Sequence, residues 1–382
     1  MTILNTKISG TGLTKITDHW SKSLIDLAVD SAKQAISESN SSPDVLILGN
    51  MLSSYSSSQE NISTIISDEL GLSGITTFKI ESSSCSGAMA VNIANKLLNS
   101  NDIESILVIG AEKMTDLSPA ETIKATTLGE SYEYTQFFGI TMNSLYALFS
   151  RLYMENYNIS SEELSCFSVL SHKNSISCKH AQFNREFSLE AINKSAIISS
   201  PLSMLNCSPI GDGSASIMLS KQNNSKFDDV NILSSNSSSS SRNFFSRDNL
   251  LEFSSTSDCM NKSLSESKIQ LNEIDLLEVH DVVPAITANI LETLGFSKPG
   301  SSSSDVKSGK FDINSKISLS TSGGLKARGN PLSATGIYQI IEVTRQLQNR
   351  SHVNLEDKKI GLCHNMSGID SNSVIHILGV NN

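Results

Sequence analysis

Two stretches of this chain repeat the same order of parts, and that repetition restricts the fold more than any other feature of its 382 residues. The first runs through a short apolar strand, DVLILGN (44–50), then TFKIESSSCSGAMAVNIANKLL (77–98), then SILVIGAEKM (105–114). The second runs through IDLLEVHDVV (274–283), KISLSTSGGLKARGNPLSATGIYQIIEV (316–343) and KIGLCHNMSG (359–368). Each closes with one more strand, SASIMLS (214–220) and SVIHILGV (373–380). Both middle segments read as strand, Ser/Gly-rich loop, helix. Unbroken apolar runs such as VLILG and ILVIG are strands buried on both faces, so the sheets must be covered by helices. The pattern is an internal duplication of an α/β unit.

The first copy carries an insertion at roughly residues 115–205, between its third and last strands. This segment is rich in polar, helix-compatible sequence such as SSEELSCFSVLSHKNSI (160–176). At the loop end of a strand it reads as a lid or substrate platform, or as decoration without a role. The serine runs Ser237–Ser241 and Ser301–Ser304 cannot bury an apolar face and read as surface loops. The first of them, within 221–245, is the expected joint of the chain, although a long loop inside one domain has the same composition. The expected units are therefore 1–114 with 206–225, the inserted 115–205, and 226–382.

A net charge of −10 without a basic cluster argues against a nucleic-acid partner. No stretch approaches the roughly 18–20 apolar residues of a membrane span, and the opening MTILNTKISGTG lacks the basic start and apolar core of a signal peptide. The expectation is a soluble, cytoplasmic protein away from membranes. Six cysteines with no CxxC pair indicate neither a metal site nor a thioredoxin-type redox site; they read as free thiols.

One of them has a distinctive setting. Cys85 follows the strand TFKIE and the loop Ser82–Ser84 and opens the helix Ser86 to Leu98, which is apolar on most faces. Such a helix is buried in the centre of a protein, so Cys85 faces the positive end of its dipole, a field expected to favour thiolate. The alternative is a cysteine that only packs at a strand–helix junction. In the second copy, His280 and Asp281 end a strand, where catalytic groups of open α/β sheets collect, and His suits proton transfer near neutral pH. Asn330 sits in Gly329-Asn330-Pro331 before the helix Leu332–Val343, where it also reads as a helix cap. Cys363-His364-Asn365 ends another strand. Together these sites predict one pocket at the seam between the halves.

The segments ESSSCSGAMA around Cys85, PIGDGSASIML (209–219), EVHD (278–281), GGLKARGNPLSATG (323–336) and CHNMSG (363–368) together resemble the thiolase family. The EVHD and HN-containing endings look most like archaeal and sterol-carrier-type thiolases. The resemblance implies an α/β thiolase fold: two βαβαβαββ halves in a five-layer α-β-α-β-α sandwich, with a loop domain inserted in the first half. It implies acyl transfer between coenzyme A thioesters, interconverting acetyl-CoA and acetoacetyl-CoA without a further cofactor. Cys85 would carry the acyl group as a thioester. His280 would hold the thioester oxygen of the second substrate as its enolate forms. The Cys85 N–H and one from the Met366–Gly368 turn, in the stretch Asn365, Ser367 and Gly368, would form the other oxyanion hole. Charge alone suggests that Lys326 and Arg328 contact coenzyme A. Family members form homodimers or homotetramers. Archaeal relatives associate with a hydroxymethylglutaryl-CoA synthase and a small bridging protein, which makes such a partner an expectation here.

Two departures accompany the resemblance. The usual Gly-His-Pro is Gly329-Asn330-Pro331, so the histidine that would deprotonate the nucleophile is absent. The second cysteine of Cys-x-Gly aligns with Asn365-Met366-Ser367; Cys363 stands two residues earlier, where alternation of strand faces argues against it as a replacement. Cys85, His280 and Asn330 also fit, in order and context, the Cys-His-Asn set of type III ketoacyl synthases and chalcone-synthase-like enzymes. In that reading His280 activates Cys85, and the carbanion comes from loss of carbon dioxide. A third reading is a thiolase-like subunit that binds acyl-CoA or a partner and does little chemistry.

Overall fold

The computed structural model describes residues 6–99, 102–222, 224–241 and 244–380. The first half runs β1 (Thr6–Leu13), α1 (Leu24–Ser39), β2 (Val45–Gly49), the single turn α2 (Ser53–Ser56), α3 (Ile62–Glu69), β3 (Thr76–Ile80), α4 (Ser86–Leu97) and β4 (Ser105–Glu112). The insertion then contributes α5 (Pro119–Thr127), α6 (Met142–Tyr157), α7 (Ser161–Leu164), α8 (Cys166–Asn174) and α9 (Leu189–Asn193). A short hairpin of β5 (Ile197–Ser199) and β6 (Leu202–Ser203) follows, and β7 (Gly213–Ser220) returns to the sheet. The second half runs β8 (Val230–Ser239), α10 (Ser254–Ser267), β9 (Leu276–Glu278), α11 (Pro284–Thr293), α12 (Ser302–Lys307) and β10 (Ser318–Leu319). It ends with α13 (Gly324–Ala327), α14 (Thr335–Leu347), β11 (Ile360–Ser367) and β12 (Asn372–Val380).

The duplication is visible in the strand order. Five strands of the first half run β3-β2-β4-β7-β1, and five of the second run β10-β9-β11-β12-β8, each strand beside its counterpart's equivalent neighbours. The two half-sheets are joined where β1 pairs with β8, through Thr6↔Ile232 and Lys7↔Asn231. Both β2 and β4 are buried along their whole length, as continuous apolar strands must be. Each fully buried Leu or Ile there contributes about 1.5–3 kcal/mol. Helices α1 and α3 cover the first half-sheet from outside, and α10 covers the second. Between the half-sheets lie α4 and α14, each touching strands of both halves. This is the five-layer thiolase arrangement.

The two inner helices meet at their first turns, and glycine makes the approach possible. A Cβ at Gly87 would stand 2.4 Å from the Ser333 carbonyl oxygen, and one at Gly336 would stand 2.7 Å from the Ala88 Cβ. Because the obstacle at Gly87 is backbone, Gly87→Ala should cost about 1–3 kcal/mol through overpacking. Chemical denaturation would show the loss. An unchanged midpoint would mean that the helix pair can slide apart freely.

Both serine runs depart from expectation. Ser237–Ser239 end β8 and pair with Val374, Ser373 and Asn372 of β12, so this serine run within the expected joint at 221–245 is strand rather than surface loop. Ser235 at the centre of β8 is tolerated inside because it finds partners. The Ser235 hydroxyl meets His376 Nδ1 at 2.9 Å, and Asn92 Nδ2 donates to the Ser235 carbonyl at 2.7 Å. Ser302 and Ser303 open α12 and are buried, with the Ser302 hydroxyl donating to the Ala288 carbonyl at 3.1 Å. The helix expected over 332–343 begins as a 3-10 turn, Leu332–Ala334, and continues as α14 to Leu347. Among the described residues, no helix is long and apolar enough to cross a membrane.

Candidate active site

A cleft opens at the seam of the two halves, above the first turns of α4 and α14. Ser83, Ser84 and Gly368 line it on one side, and Ser208, His280, Asn330 and Leu332 on another. The insertion supplies a further wall through Ile123, Glu130, Thr141, Met142, Asn143 and Tyr146. The inserted segment therefore shapes the site rather than decorating it.

Cys85 stands at the N-cap of α4 with none of its surface exposed. The elbow before it turns through Ser83, held at φ +52°, a conformation that serine rarely adopts and that the surroundings must enforce. Four hydrogen bonds do so. Ser86 Oγ donates to the Ser83 carbonyl and Ser84 Oγ to the Met366 carbonyl. Asn372 Nδ2 donates to Ser82 Oγ, and Ser367 Oγ donates to the Ser82 carbonyl at 2.6 Å. The Ser367 hydroxyl also lies 2.9 Å from the Cys85 sulfur, and its oxygen accepts from the Cys85 N–H at 3.4 Å. Residues from the far end of the second half thus hold Cys85 of the first. The Cys85 N–H also donates to the Ser82 carbonyl at 3.1 Å, so in this closed geometry it is not a vacant oxyanion donor.

The expected acidification of this thiol is overturned. Burial pushes Cys85 up from 9.0 to about 12, and the Ser367 hydrogen bond offsets only part of this. The rise corresponds to about 4 kcal/mol against the thiolate, whereas a helix end supplies about 0.3–2 kcal/mol in its favour. Desolvation wins. The sequence places the cysteine at a helix end, but does not show how completely β11 and β12 close over it.

His280, just past β9, is buried and lines the cleft. Its tautomer follows from a chain of fixed donors. Gln339 Nε2 donates to the Val279 and His364 carbonyls at 2.9 and 3.1 Å, which turns its oxygen toward Asn365. Asn365 Nδ2 donates to that oxygen at 3.3 Å and to His280 Nδ1 at 3.1 Å. Nδ1 is therefore an acceptor, and the ring proton sits on Nε2, on the side facing the cleft. Burial, aided by the Arg328 charge, pulls the imidazole down to about 3. His280 is a neutral N–H donor, and a poor base toward Cys85. Asn365 is its positioning partner rather than a cleft residue.

Asn330 serves its turn and the cleft together. Its Oδ1 accepts from the Leu332 N–H at 3.1 Å and the Thr335 hydroxyl at 3.0 Å, which ties the 3-10 turn to α14. Its Nδ2 points toward Ser208 Oγ at 3.5 Å, on the cleft wall. Asn330 thus lines the cleft while bracing the turn, but it is not the cap of a helix: the 3-10 turn is capped by Pro331 and α14 by Ala334.

Three expected site residues lie elsewhere. Cys363 packs in the apolar cluster between the half-sheets, and burial, then the Glu278 charge, raises its thiol far above the ordinary range. Residues 363, 365 and 367 of β11 share a face, so the alternation argument does not exclude Cys363. Distance does: four residues of strand, about 13 Å, separate it from Ser367. Arg328 is fully buried and donates from Nη1 to Glu342 of α14. Lys326 is buried with Nζ 3.2 Å from His172 Nε2, and burial pulls its amine down to about 8. Neither lines the cleft, so charge misplaced both. Ser367 touches Cys85, and Gly368 lines the cleft. The residues that sequence reasoning missed are those of the insertion, Glu130 and Tyr146 above all. Glu130 stands in GESYEY and Tyr146 in MNSLYALF of α6, and neither stretch carries a local pattern that separates a cleft residue from a surface one.

Residues 4–223 match the description "Thiolase, N-terminal domain", and residues 236–380 match "Thiolase C-terminal domain-like". An acetyl-CoA acetyltransferase of Methanothermobacter thermautotrophicus is 31% identical over 97% of this chain and 98% of its own length. Sterol carrier protein 2 of Bos taurus is 25% identical over 94% of this chain and 69% of its own. Among solved structures, the Ltp2-ChsH2(DUF35) aldolase superposes with a TM-score of 0.86 at 19% identity, covering 99% of this chain and 98% of that one. The chain belongs to the thiolase family. Its six cysteines are free thiols, and no group of three or more His, Cys, Asp or Glu that could hold a metal ion occurs among the described residues.

Proposed function

We propose that the chain is a thiolase-type acyltransferase interconverting two acetyl-CoA with acetoacetyl-CoA and CoA through an acyl thioester on Cys85. One observation carries the reading: Cys85 sits buried at the end of α4 directly behind Ser83 and Ser84, which line the same cleft as the neutral His280 of the other half. The name of the Methanothermobacter relative supports the substrate class. In the first half-reaction the Cys85 sulfur attacks the acyl carbonyl and CoA leaves with the proton. In the second, His280 Nε2–H holds the thioester oxygen of the incoming acyl-CoA while its α-carbon loses a proton and attacks the acyl-enzyme. A preorganised donor of this kind stabilises an enolate oxygen without reorganising at the moment of reaction. Coenzyme A thioesters as the substrates, no further cofactor, and a homodimer or homotetramer in the cytoplasm belong to the same proposal. An assembly is in keeping with it: the DUF35 component named for the aldolase neighbour offers a precedent beside the expected hydroxymethylglutaryl-CoA synthase and bridging protein.

The Asn330 amide on the cleft wall favours a second reading, a Cys-His-Asn condensing enzyme that obtains its carbanion by decarboxylation. Here His280 would again act as a donor. Incubation with acetyl-CoA and peptide mass spectrometry tests what both readings share. An acetyl group on Cys85, absent from Cys85→Ala, is the expected result; its absence from the native protein under every condition sinks both. Adding acetyl-CoA or malonyl-CoA to the acetylated enzyme then separates them by which donor yields acetoacetyl-CoA.

A further inference from the structure

The proposed condensation needs a group that removes a proton from the α-carbon of the second acyl-CoA, and the residues expected for that role do not fill it. Cys363 lies deep between the half-sheets, Asn330 has no basic atom, and His280 Nδ1 is engaged by the Asn365 N–H. Among the described residues lining the cleft, one carboxylate is present, Glu130 of the insertion. It is only 4% exposed. Its Oε1 stands 2.3 Å from where a Cβ on Gly368 would lie, so the carboxyl rests directly on that glycine. Gly368 follows Ser367, whose hydroxyl touches the Cys85 sulfur. Tyr146, from the next helix, lines the same wall, and the Arg247 charge lies within electrostatic reach of the carboxylate.

We infer that Glu130 is the base of the condensation, supplied by the inserted domain; the inference rests on the acyltransferase reading above. The carboxylate takes a proton from the α-carbon of acyl-CoA while His280 Nε2–H holds the thioester oxygen. The new C–C bond forms between that carbon and the carbonyl carbon of acetyl-Cys85. The C–S bond to Cys85 breaks, and its electron pair leaves on sulfur. The proton on Glu130 returns to that thiolate, which restores thiol and carboxylate and releases the 3-ketoacyl-CoA. Gly368 has a part in this: its missing side chain is the space in which the carboxylate sits, and its φ of +56° is one that glycine adopts without strain.

The test separates acylation from condensation in Glu130→Gln, a substitution of equal shape. Two readouts on the native and variant proteins suffice: acetyl-Cys85 by peptide mass spectrometry, and enzyme-dependent exchange of the α-hydrogens of acetyl-CoA for deuterium in D2O. Thermal melting confirms that both are folded. The expected result is full acetylation in both, with exchange and acetoacetyl-CoA formation at least about a hundredfold slower in the variant, the usual reach of general base catalysis. Exchange within a few-fold of native would overturn the inference while leaving the acyltransferase reading intact. So would a variant that fails to acetylate Cys85, because the assigned role lies after that step. A native protein that never acetylates Cys85 removes the acyltransferase reading itself, a result distinct from either.

Discussion

Alkylation of Cys85 by iodoacetamide should accelerate about tenfold for each unit of pH between about 7 and 9. The thiolate is the reacting form, and its fraction grows in that proportion whenever the pKa lies above the range. Burial holds the Cys85 thiol at about 12 in the closed site, so no plateau should appear below pH 9, and the total increase should be near a hundredfold. Peptide mass spectrometry resolves Cys85 from the other thiols. A rate already flat at pH 7 would mean that the helix end controls this thiol after all, as its position in the sequence suggests. The same physics acts on stability. A thiol whose folded pKa is raised favours the folded state fully below its unfolded value of about 8.5 and loses that contribution as pH rises toward the folded value. Cys85, Cys178 and Cys259 each stand at about 12, so the alkaline side is where the fold weakens through its thiols.

Replacing His280 by Phe should leave acetylation of Cys85 intact and lower acetoacetyl-CoA formation about 10²–10³-fold, the effect of losing one preorganised oxyanion donor. Phe keeps the ring volume in a buried position and removes the Nε2–H, together with the Nδ1 acceptor that Asn365 engages. The native enzyme carries a companion signature. A histidine whose pKa is depressed to about 3 stays neutral down to that value, so the condensation rate should show no acid limb near 6.5, where an ordinary imidazole titrates. Such a limb would mean that His280 gains a proton in the working site, against the Asn365 N–H that faces its Nδ1 at 3.1 Å.

The duplication was legible because strands covered on both faces, such as β2 and β4, leave unbroken apolar runs, and the order of four strand-like segments recurs in each half. The fifth strand was not legible. β8 leaves its apolar start, Val230 and Ile232, for SSNSSS, and what keeps it in the sheet is β12 with Asn92 and His376. Those partners lie about 140 residues away, beyond any local pattern. In the site, Cys85 and His280 were readable because each ends a strand or opens a helix, positions that topology delivers to one place. Lys326 and Arg328 were not: a charge in a sequence says nothing of its burial, and Glu342, which holds Arg328, comes from a different turn of chain. Glu130 was hidden for the opposite reason, since it resembles any other acidic residue of a polar insertion.

The contact between the first turns of α4 and α14 has a mechanical meaning. The sulfur belongs to one half of the molecule and the imidazole to the other, so the gap between them is a difference between two bodies. Among the described residues the half-sheets share a short paired seam at β1 and β8, which does little to fix that difference. The glycine crossing does, since the Ser333 carbonyl against Gly87 and the short Ala88 methyl against Gly336 leave no long side chain to give way. The crossing acts as the stop of a caliper whose jaws are Cys85 and His280. Substitutions far out on either half should therefore be felt as changes in stability long before they change the opening of the jaws, whereas a single methyl at the stop changes both.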